Sequence, residues 1–453
     1  MNCLVWIISH YINKQNQEII NMKLKLDSTA LLIAGLITSP VIYAQSYEQA
    51  LLQTLETNPN IKESFHNFKV KSEEIDIRKG NYLPSVNINA QTGFIKDRIQ
   101  PDQYNPNQAS ITIDQLIWDG NLTLNDIDRV KEEAEASRYG LYSTVNDTAL
   151  KVSKVYLDVL QSQENVYLAN ENNKNLNTIY ENIKKRVNAG IDSSTDLTQA
   201  QSRLARSDAS VLAAQSNLND KQSQFIRVTG HRPIDLVMPE VDQETIPSSL
   251  KMMLETAKAN NPTIQLALHD IEASKYKYDL TKGHFLPKIT LQAGQTWGAE
   301  NSSSNSRTNE SQIALKVSYN LFSGGSDMAS SRQAAYDLEK TKDIYENSLR
   351  ELNNGAELSW DAYILYSRQK SFLQDHVLAS TKTLNAYKKQ YLIGKRSLLD
   401  VLNTENEVYE SKRNYVQARY GEIEAKYRIL NSTSNLLKAS RINVDPLWNQ
   451  SVL

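Results

Sequence analysis

The sequence contains two copies of one unit, and this duplication restricts the chain to folds that can be built twice. Gly80-Asn81-Tyr82-Leu83-Pro84 recurs as Gly283-His284-Phe285-Leu286-Pro287 at an offset of 203 residues. Further along the chain the offset becomes 204, and Asp196 recurs as Asp400. A period near 200 residues is much longer than the roughly 20 to 50 residues of solenoid repeats. The chain is therefore predicted to hold two large structural repeats.

Both repeats are predicted to have the same order of elements. A helical run ends before the Leu-Pro pair, because proline cannot continue a helix and favours an extended residue before it. Two runs of alternating apolar and polar residues follow, and they predict a β-hairpin. A helical pattern of about 70 residues, or about 100 Å, then leads to a glycine and a returning helix. The predicted fold is mixed, mainly α with β: a duplicated unit of a β-hairpin plus a long α-helical hairpin.

The predicted bounds follow the duplication. The first repeat covers residues 45–230, with a helix at 47–79, strands at 84–96 and 109–118, and helices at 121–188 and 194–228. The second covers residues 248–438, with a helix at 250–282, strands at 287–297 and 310–322, and helices at 326–391 and 398–437. A linker at 231–247 joins the repeats, and a tail at 439–453 follows them.

The alternating strands have one apolar and one polar face, which suits a wall between lipid and water. Four strands cannot close into a barrel, since the smallest bacterial barrels have about 8. An open strand edge in lipid leaves unsatisfied backbone groups at several kcal/mol each. If the strands span a membrane, several protomers must therefore pool them. The alternative is a soluble coiled-coil protein whose hairpins cover a small core, because short alternating runs are ambiguous.

Residues 1–44 are predicted to comprise an upstream extension and a secretory signal peptide. Lys23 and Lys25 form a positive start, an apolar core too short to span a bilayer follows, and Ala44 precedes the expected cleavage site. Residues 1–21 are interpreted as lying upstream of the start codon, the alternative being an unusually long leader. The only cysteine, Cys3, lies in this part, so the cleaved chain would have no disulfide and no cysteine-ligated metal.

Charge and motifs exclude several classes of function. The chain has 50 lysine and arginine residues against 52 aspartate and glutamate residues, with no basic block able to neutralise a run of phosphates. Nucleic acid is therefore not a predicted partner. The six histidines show no metal-ligand spacing, and no Gly-x-Ser-x-Gly motif or phosphate-binding loop occurs. The prediction is a protein that is not an enzyme, with no catalytic, metal or cofactor-binding site.

The duplicated order of elements and two segments resemble the TolC family of outer-membrane efflux and type I secretion proteins. The segments are YLIGKRSLLDVLNTENEVYESKRNYVQARY, from Tyr391 to Tyr420, and NAGIDSSTDLTQAQ, from Asn188 to Gln201. They are similar to the family's turn and returning helix in the second and first repeats. The resemblance covers nearly all of the chain after the leader. It implies a homotrimer with a 12-stranded outer-membrane β-barrel and a periplasmic α-helical barrel.

The function implied by the resemblance is a passive, porin-like export duct in the cell outer membrane that extends into the periplasm. It would serve a tripartite efflux pump or a type I secretion system. A periplasmic membrane-fusion adaptor and an inner-membrane pump, ABC-type or proton-driven, would dock at its tip and supply the energy. The cargo, an exported protein or small molecules, is left open. The alternative is an exported periplasmic coiled-coil adaptor or scaffold, which would lack two hairpins of membrane length.

The resemblance further implies a gate at the periplasmic tip. Carried over by position, Tyr391 and Arg396 would bond the other hairpin at Thr195 and Asp196, in the same or the neighbouring protomer. Asp400 would form a threefold ring of carboxylates in the pore, and such a ring favours cations.

Asn403 stands where the family has a second aspartate. The second charged ring is therefore in doubt, and weaker cation selectivity is expected.

Capping is the alternative role for Asp196 and Asp400. Each lies six residues past a helix-breaking glycine, Gly190 or Gly394, at the start of the returning helix. Acidic residues are enriched there because they interact favourably with the positive end of the helix dipole. The two glycines are predicted to be turn residues.

Overall fold

A computed structural model describes residues 45–96, 103–104, 106–300 and 307–442. The predicted leader at 1–44 and most of the predicted tail lie outside the described residues. Among the described residues, no helix has the length and apolar character needed to cross a membrane.

The helices of the two repeats follow the same order. The first repeat has α1 (Tyr47–Thr57), α2 (Pro59–Gly80), α3 (Leu122–Asn188) and α4 (Ser194–Thr229). The second has α5 (Leu250–Asn260), α6 (Pro262–Gly283), α7 (Ser326–Leu392) and α8 (Leu398–Ser432), followed by the short α9 (Leu436–Ala439). The linker contains one 3-10 turn at Gln243–Thr245.

The single helices predicted at 47–79 and 250–282 are each two helices, so this part of the prediction is wrong. Asn58 has an extended backbone, with φ −64° and ψ 123°, and its side chain accepts a hydrogen bond from the Asn60 amide at 2.9 Å. Pro59 occupies the first turn of α2, where a missing amide hydrogen is harmless. Asn261 and Pro262 repeat this arrangement. The proline starts a new helix because it excludes helical geometry from the residue before it.

The helix predicted at 398–437 is also shorter than expected. α8 ends at Ser432, and Ser434 has a positive φ of 58°. The Asn435 amide then donates to the Leu430 carbonyl at 2.8 Å, which satisfies an otherwise unpaired group at the helix end.

The β-hairpins of the two repeats join into one antiparallel sheet. Its strands are β1 (Ser85–Thr92), β4 (Pro106–Trp118), β5 (Lys288–Glu300) and β6 (Arg307–Ser318), in the order β1-β4-β5-β6. A separate pair, β2 (Ile95–Lys96) and β3 (Gln103–Tyr104), continues the first hairpin. The strand predicted at 84–96 is thus interrupted after Thr92, and the one predicted at 310–322 ends at Ser318. Within the described residues, β1 and β6 are the two edges of the four-stranded sheet.

The sheet has an apolar face and a polar face. Ile113 pairs with Val86 on one side and with Ala293 on the other, and Ala293 pairs with Ile313. Directly paired residues lie on the same face, so the register aligns apolar side chains across all four strands. Val86, Ile113 and Ile313 are exposed in the single chain. On the opposite face the Gln292 amide donates to the Asp114 carboxylate at 2.8 Å.

The long helices form a layer in the order α4-α3-α8-α7. The largest core cluster centres on α3 and α8, where Tyr156 and Leu430 are completely buried. The Tyr156 hydroxyl lies 2.8 Å from the Gln45 carbonyl and accepts from the Val237 amide at 3.0 Å, which ties the linker to α3. The predicted mainly α fold, with a duplicated β-hairpin and helical hairpin, is confirmed.

Candidate functional site

Two tight turns join the long helices at the end of the layer remote from the sheet. The first lies between α3 and α4 and contains Gly190, with φ 78°; the second lies between α7 and α8 and contains Gly394, with φ 72°. A left-handed backbone favours glycine because it has no Cβ. The Ile191 amide donates to the Arg186 carbonyl at 2.9 Å, and Lys395 repeats this bond to Gln390. Both turns therefore have the same local geometry.

Each returning helix begins with a capping box. The Asp196 amide donates to the Ser193 hydroxyl oxygen at 3.1 Å, and the Asp196 carboxylate accepts from the Ser193 amide at 3.3 Å. Ser397 and Asp400 repeat the arrangement at 3.2 Å in both directions. The capping interpretation of both aspartates is thus correct within the chain. The Asp400 side chain nevertheless keeps 40% of its surface exposed.

One cluster, here called the tip clasp, connects the two turns. It consists of Arg186, Asp192 and Tyr391. The Arg186 guanidinium donates to both carboxylate oxygens of Asp192, at 2.7 and 3.0 Å. The Tyr391 hydroxyl donates to the same carboxylate at 2.7 Å, and the guanidinium lies 5.3 Å from the Tyr391 ring centroid. Asp192 therefore links the two hairpins, because it accepts hydrogen bonds from Arg186 on its own hairpin and from Tyr391 on the other.

The tip clasp shifts the ionisation of its members. The hydrogen bonds from Arg186 and Tyr391 favour the charged carboxylate and hold the pKa of Asp192 below its usual value. Burial, together with the bond to the anionic Asp192, raises the pKa of Tyr391 to about 12. At neutral pH the clasp therefore contains an ionised carboxylate and a neutral phenol.

The bonds predicted from Tyr391 and Arg396 to Thr195 and Asp196 do not occur within the chain, and their occurrence between neighbouring protomers stays a prediction. Within the chain, Tyr391 bonds Asp192 rather than Thr195 or Asp196. Arg396 stays on its own hairpin: it donates to the Gln390 side chain at 3.1 Å, and its guanidinium lies 4.2 Å from the Tyr387 ring centroid.

Asp192 is not among the predicted gate residues, because the resemblance implies Thr195 and Asp196, which lie further along the chain in α4. A sequence signal existed. Asp192 follows Arg186 by six residues, and at an offset of 204 the same two positions are Gln390 and Arg396. The polar pair thus spans the turn in both repeats.

Asn403 lies beside a positive charge. Its side-chain oxygen accepts from Arg203 of α4 at 3.0 Å. Arg203 lines a cleft of about 370 Å³ between α3, α4 and α8, together with Arg206 and Arg413. In the part of the chain that the structure describes, no group of three or more histidine, cysteine or acidic residues is placed to hold a metal ion.

A duplicated hairpin sheet with an exposed apolar face, continued by a long helical layer, is the architecture of an outer-membrane channel subunit. The chain belongs to the outer membrane efflux protein family, whose model matches residues 50–231 and again residues 253–433. The double match coincides with the two repeats.

Similar proteins cover nearly the whole chain. The outer membrane efflux protein BepC of Brucella suis is 22% identical over 91% of this chain and 90% of its own length. The outer membrane protein TolC of Vibrio cholerae is 20% identical over 90% and 94%. Among solved structures, the CmeC outer membrane channel of Campylobacter jejuni is similar with a TM-score of 0.77 at 14% identity, over 92% of this chain and 98% of that one.

The chain is thus an outer-membrane efflux or secretion channel protein that extends from the outer membrane into the periplasm. Its family is one of channel proteins rather than enzymes. The alternative of an exported soluble adaptor or scaffold has no support among the similar proteins.

Proposed function

We propose that the protein acts as a homotrimeric, passive export duct that catalyses no reaction and is gated by the tip clasp. The observation that carries the gate is the hydrogen bond from Tyr391 on one hairpin to Asp192 on the other. The two helical hairpins cannot separate at the tip without breaking it. A periplasmic end that opens only when these bonds break is a gate.

The strand count supports a trimer with a shared barrel. The four-stranded sheet has two open edges, and no isolated four-stranded sheet can satisfy its edge groups in lipid. Three copies supply twelve strands, an even number within the range of bacterial barrels. The exposed apolar face, which includes Ile88 and Leu315, would contact lipid, and the polar face would line the water-filled lumen.

The energy for export must come from partners, because nothing in the tip clasp resembles a nucleotide or metal site. We propose a periplasmic membrane-fusion adaptor and an inner-membrane pump, either ABC-type or proton-driven. The adaptor would favour the open tip and so shift the population towards it. It would have to offset hydrogen bonds worth about 0.5 to 3 kcal/mol each.

The cargo is proposed as small molecules, a secreted protein, or both. BepC is named an efflux protein, whereas the similar AprF of Pseudomonas aeruginosa is named an alkaline protease secretion protein. Deletion of the gene, followed by assays of drug susceptibility and of secreted proteins, separates the two.

Arg396, Thr195 and Asp196 are proposed to bond between neighbouring protomers. Within the chain these three exposed or half-exposed side chains make no bond to the other hairpin. Asp400 would add a threefold carboxylate ring, and Asn403 beside Arg203 would weaken its preference for cations.

The experiment is single-channel recording in planar bilayers. Tyr391→Phe removes the hydroxyl that bonds Asp192, and we expect a higher conductance, which rises further when Arg396→Ser is added. Tyr387→Phe is the matched control, because it keeps the ring beneath Arg396 and should leave the conductance unchanged. Equal conductance of Tyr391→Phe and the wild type would refute the gate.

A further inference from the structure

The cleft between α3, α4 and α8, here called the basic cleft, carries an excess of positive charge. Its volume is about 370 Å³, and it is lined by Arg203 and Arg206 of α4 and by Arg413 of α8. Among the described residues that line it, Glu410 is the single acidic one. The cleft is therefore basic, although the whole chain has slightly more acidic than basic residues.

The positive charge of the basic cleft is mostly not neutralised within the chain. Arg203 donates to the uncharged side chain of Asn403 at 3.0 Å. Arg413 pairs with Glu410 at 3.3 Å in an exposed contact, which contributes little free energy. The Arg206 guanidinium forms no hydrogen bond or ion pair with any of the described residues. In the described part of the chain, two of the three guanidinium groups thus have no carboxylate partner.

The duplication shows that packing does not require these arginines. At the offset of 204, the counterparts of Arg203 and Arg206 are Glu407 and Glu410 on α8. Both helices pack against the long helix of their own hairpin, α4 against α3 and α8 against α7. A returning helix therefore accepts either sign of charge at these positions, and the basic cleft needs another explanation.

The α3 side of the basic cleft adds uncharged hydrogen-bonding groups. Ser162, Asn165 and Asn172 line it. The side-chain oxygen of Asn172 is buried and has no hydrogen-bond partner among the described residues. An unpaired buried acceptor is unfavourable, and a ligand that carries a hydroxyl or amide donor would satisfy it. The lining thus suits a ligand with both an anionic group and a hydrogen-bond donor.

The basic cleft opens on the side of the layer where Asn403 lies. Glu410 lines the cleft and follows Asn403 by seven residues, so the two share one side of α8. Across the cleft, Arg203 of α4 bonds Asn403 directly. The position proposed for a pore-lining residue is therefore also the edge of the basic cleft.

We infer that the basic cleft binds a small organic anion with carboxylate or phosphate groups, in the lumen just inside the closed tip. The inference rests on the proposed function, which places Asn403 in the pore, and it deepens that function by naming a class of cargo. A guanidinium group binds a carboxylate or a phosphate through two parallel hydrogen bonds. The cleft volume lies within the range of about 300 to 1,000 Å³ that is usual for small-molecule sites.

Isothermal titration calorimetry of the full chain in detergent tests the binding. The probes are inorganic phosphate and citrate, which combines three carboxylates with a hydroxyl donor. Arg206→Gln removes one guanidinium and breaks no bond in the described chain. We expect it to weaken binding on the order of tenfold, because a hydrogen bond to a charged group is lost.

Two further variants control the charge. Arg227→Gln removes the same charge from the same helix, three heptads or about 31 Å beyond Arg206, and should leave the affinity unchanged. Glu410→Gln removes the acidic residue from the cleft and should tighten binding. A wild type that binds neither probe overturns the inference. Equal losses in Arg206→Gln and Arg227→Gln, or weaker binding by Glu410→Gln, also overturn it.

Reversal potentials in planar bilayers test the position in the lumen. Citrate is added on the barrel side of the channel under a KCl gradient, at constant K⁺ concentration. A bound anion neutralises positive charge in the pore, so the wild-type reversal potential should move towards the K⁺ equilibrium potential. The shift caused by citrate should be smaller in Arg206→Gln and unchanged in Arg227→Gln.

The two measurements separate the possible failures. A conducting channel whose protein binds citrate in detergent, but whose reversal potential does not respond to citrate, places the cleft outside the lumen. That result overturns the inference and leaves the proposed duct intact. A protein without any channel conductance overturns the proposed duct itself. Binding in detergent together with a citrate-dependent shift that Arg206→Gln reduces supports the inference.

Discussion

Helices α3 and α7 occupy the same place in their repeats and have the same length of 67 residues, yet they differ in burial. Twenty-one residues of α3 are buried, against five of α7. α3 lies inside the layer, between α4 and α8, whereas α7 lies at its end. The difference arises from the neighbours of each helix rather than from its local sequence, since both are long, polar and amphipathic.

The pair shows that equivalent helices of a duplicated chain can have different neighbours: α3 packs between two long helices, whereas α7 packs against one. Each repeat contributes one inner helix and one outer helix, and only the inner helices meet within the chain. The outer helices carry large apolar side chains, among them Leu212 of α4 and Phe372 of α7, that are exposed in the part of the chain that the structure describes. A substitution on α3 should therefore change the stability of the single chain, whereas a substitution at the equivalent position on α7 should change the association of chains.

Truncation at the equivalent positions Leu168 and Phe372 should give the largest contrast. Leu168 of α3 is buried in the core cluster, so Leu168→Ala leaves a cavity and should lower the free energy of unfolding by about 2 to 5 kcal/mol. Phe372→Ala removes an exposed side chain, so the isolated chain should change by no more than about 0.5 kcal/mol. Thermal unfolding followed by circular dichroism measures the stability of both variants. Phe372→Ala should instead weaken the association of chains, which is measured as trimer dissociation on unheated gels. Equal effects of the two variants on dissociation would contradict the distinction.

The packing of α7 on α8 provides a second contrast. Gly421 faces the ring of Tyr366, and a Cβ at Gly421 would lie 2.8 Å from that ring. In the first repeat the equivalent positions are Asn217 and Ser162, which share a hydrogen bond of 3.1 Å. Overpacking should cost about 1 to 3 kcal/mol, and the better helix propensity of alanine should offset about 1 kcal/mol of it, so Gly421→Ala should destabilise the protein by up to about 2 kcal/mol.

Two further variants test the overpacking. Tyr366→Ser, added to Gly421→Ala, should restore much of the lost stability. Gly355→Ala, where a Cβ meets open space, should instead stabilise the helix by about 1 kcal/mol. A stabilising Gly421→Ala would show that α7 and α8 adjust more easily than their packing implies.

The ends of α3 and α7 meet in the tip clasp, which should make conductance depend on pH. The pKa of Asp192 is lowered, so its bonds stabilise the closed tip above the ordinary value of 3.8 and are lost as the pH falls through the lowered value. The pKa of Tyr391 is raised from 10.0 to about 12, so its contribution is complete below pH 10 and is lost as the pH rises towards 12.

Conductance in planar bilayers should therefore rise at both extremes of pH. Asp192→Asn should abolish the acid rise, and Tyr391→Phe should abolish the alkaline rise. Retention of both rises in the two variants would assign the pH dependence to other groups.

Much of the local structure could be predicted from the sequence because it depends on near neighbours. Alternation of side chains indicated the strands, and the glycines at 190 and 394 indicated the turns. The break at Asn58-Pro59 was also encoded locally, by a capping residue and a proline, although a continuous helix was predicted there.

The site was less predictable. Asp196 and Asp400 could be expected to cap their helices, since a serine precedes each by three residues. The bond between Tyr391 and Asp192 joins residues 199 positions apart, so it depends on how the two hairpins pack. Arg396 lies in the second turn, and its guanidinium contacts Gln390 and Tyr387 of its own hairpin rather than the other hairpin.

The sequence by itself determined the duplication, the order of elements within each repeat and the alternating faces of the strands, because these follow from residue type and spacing. Only the tertiary structure decided that β4 pairs with β5, that α3 and α8 become the inner helices, and that Asp192 receives Tyr391. Two similar repeats have similar local preferences, and the choice between an inner and an outer position depends on contacts between them.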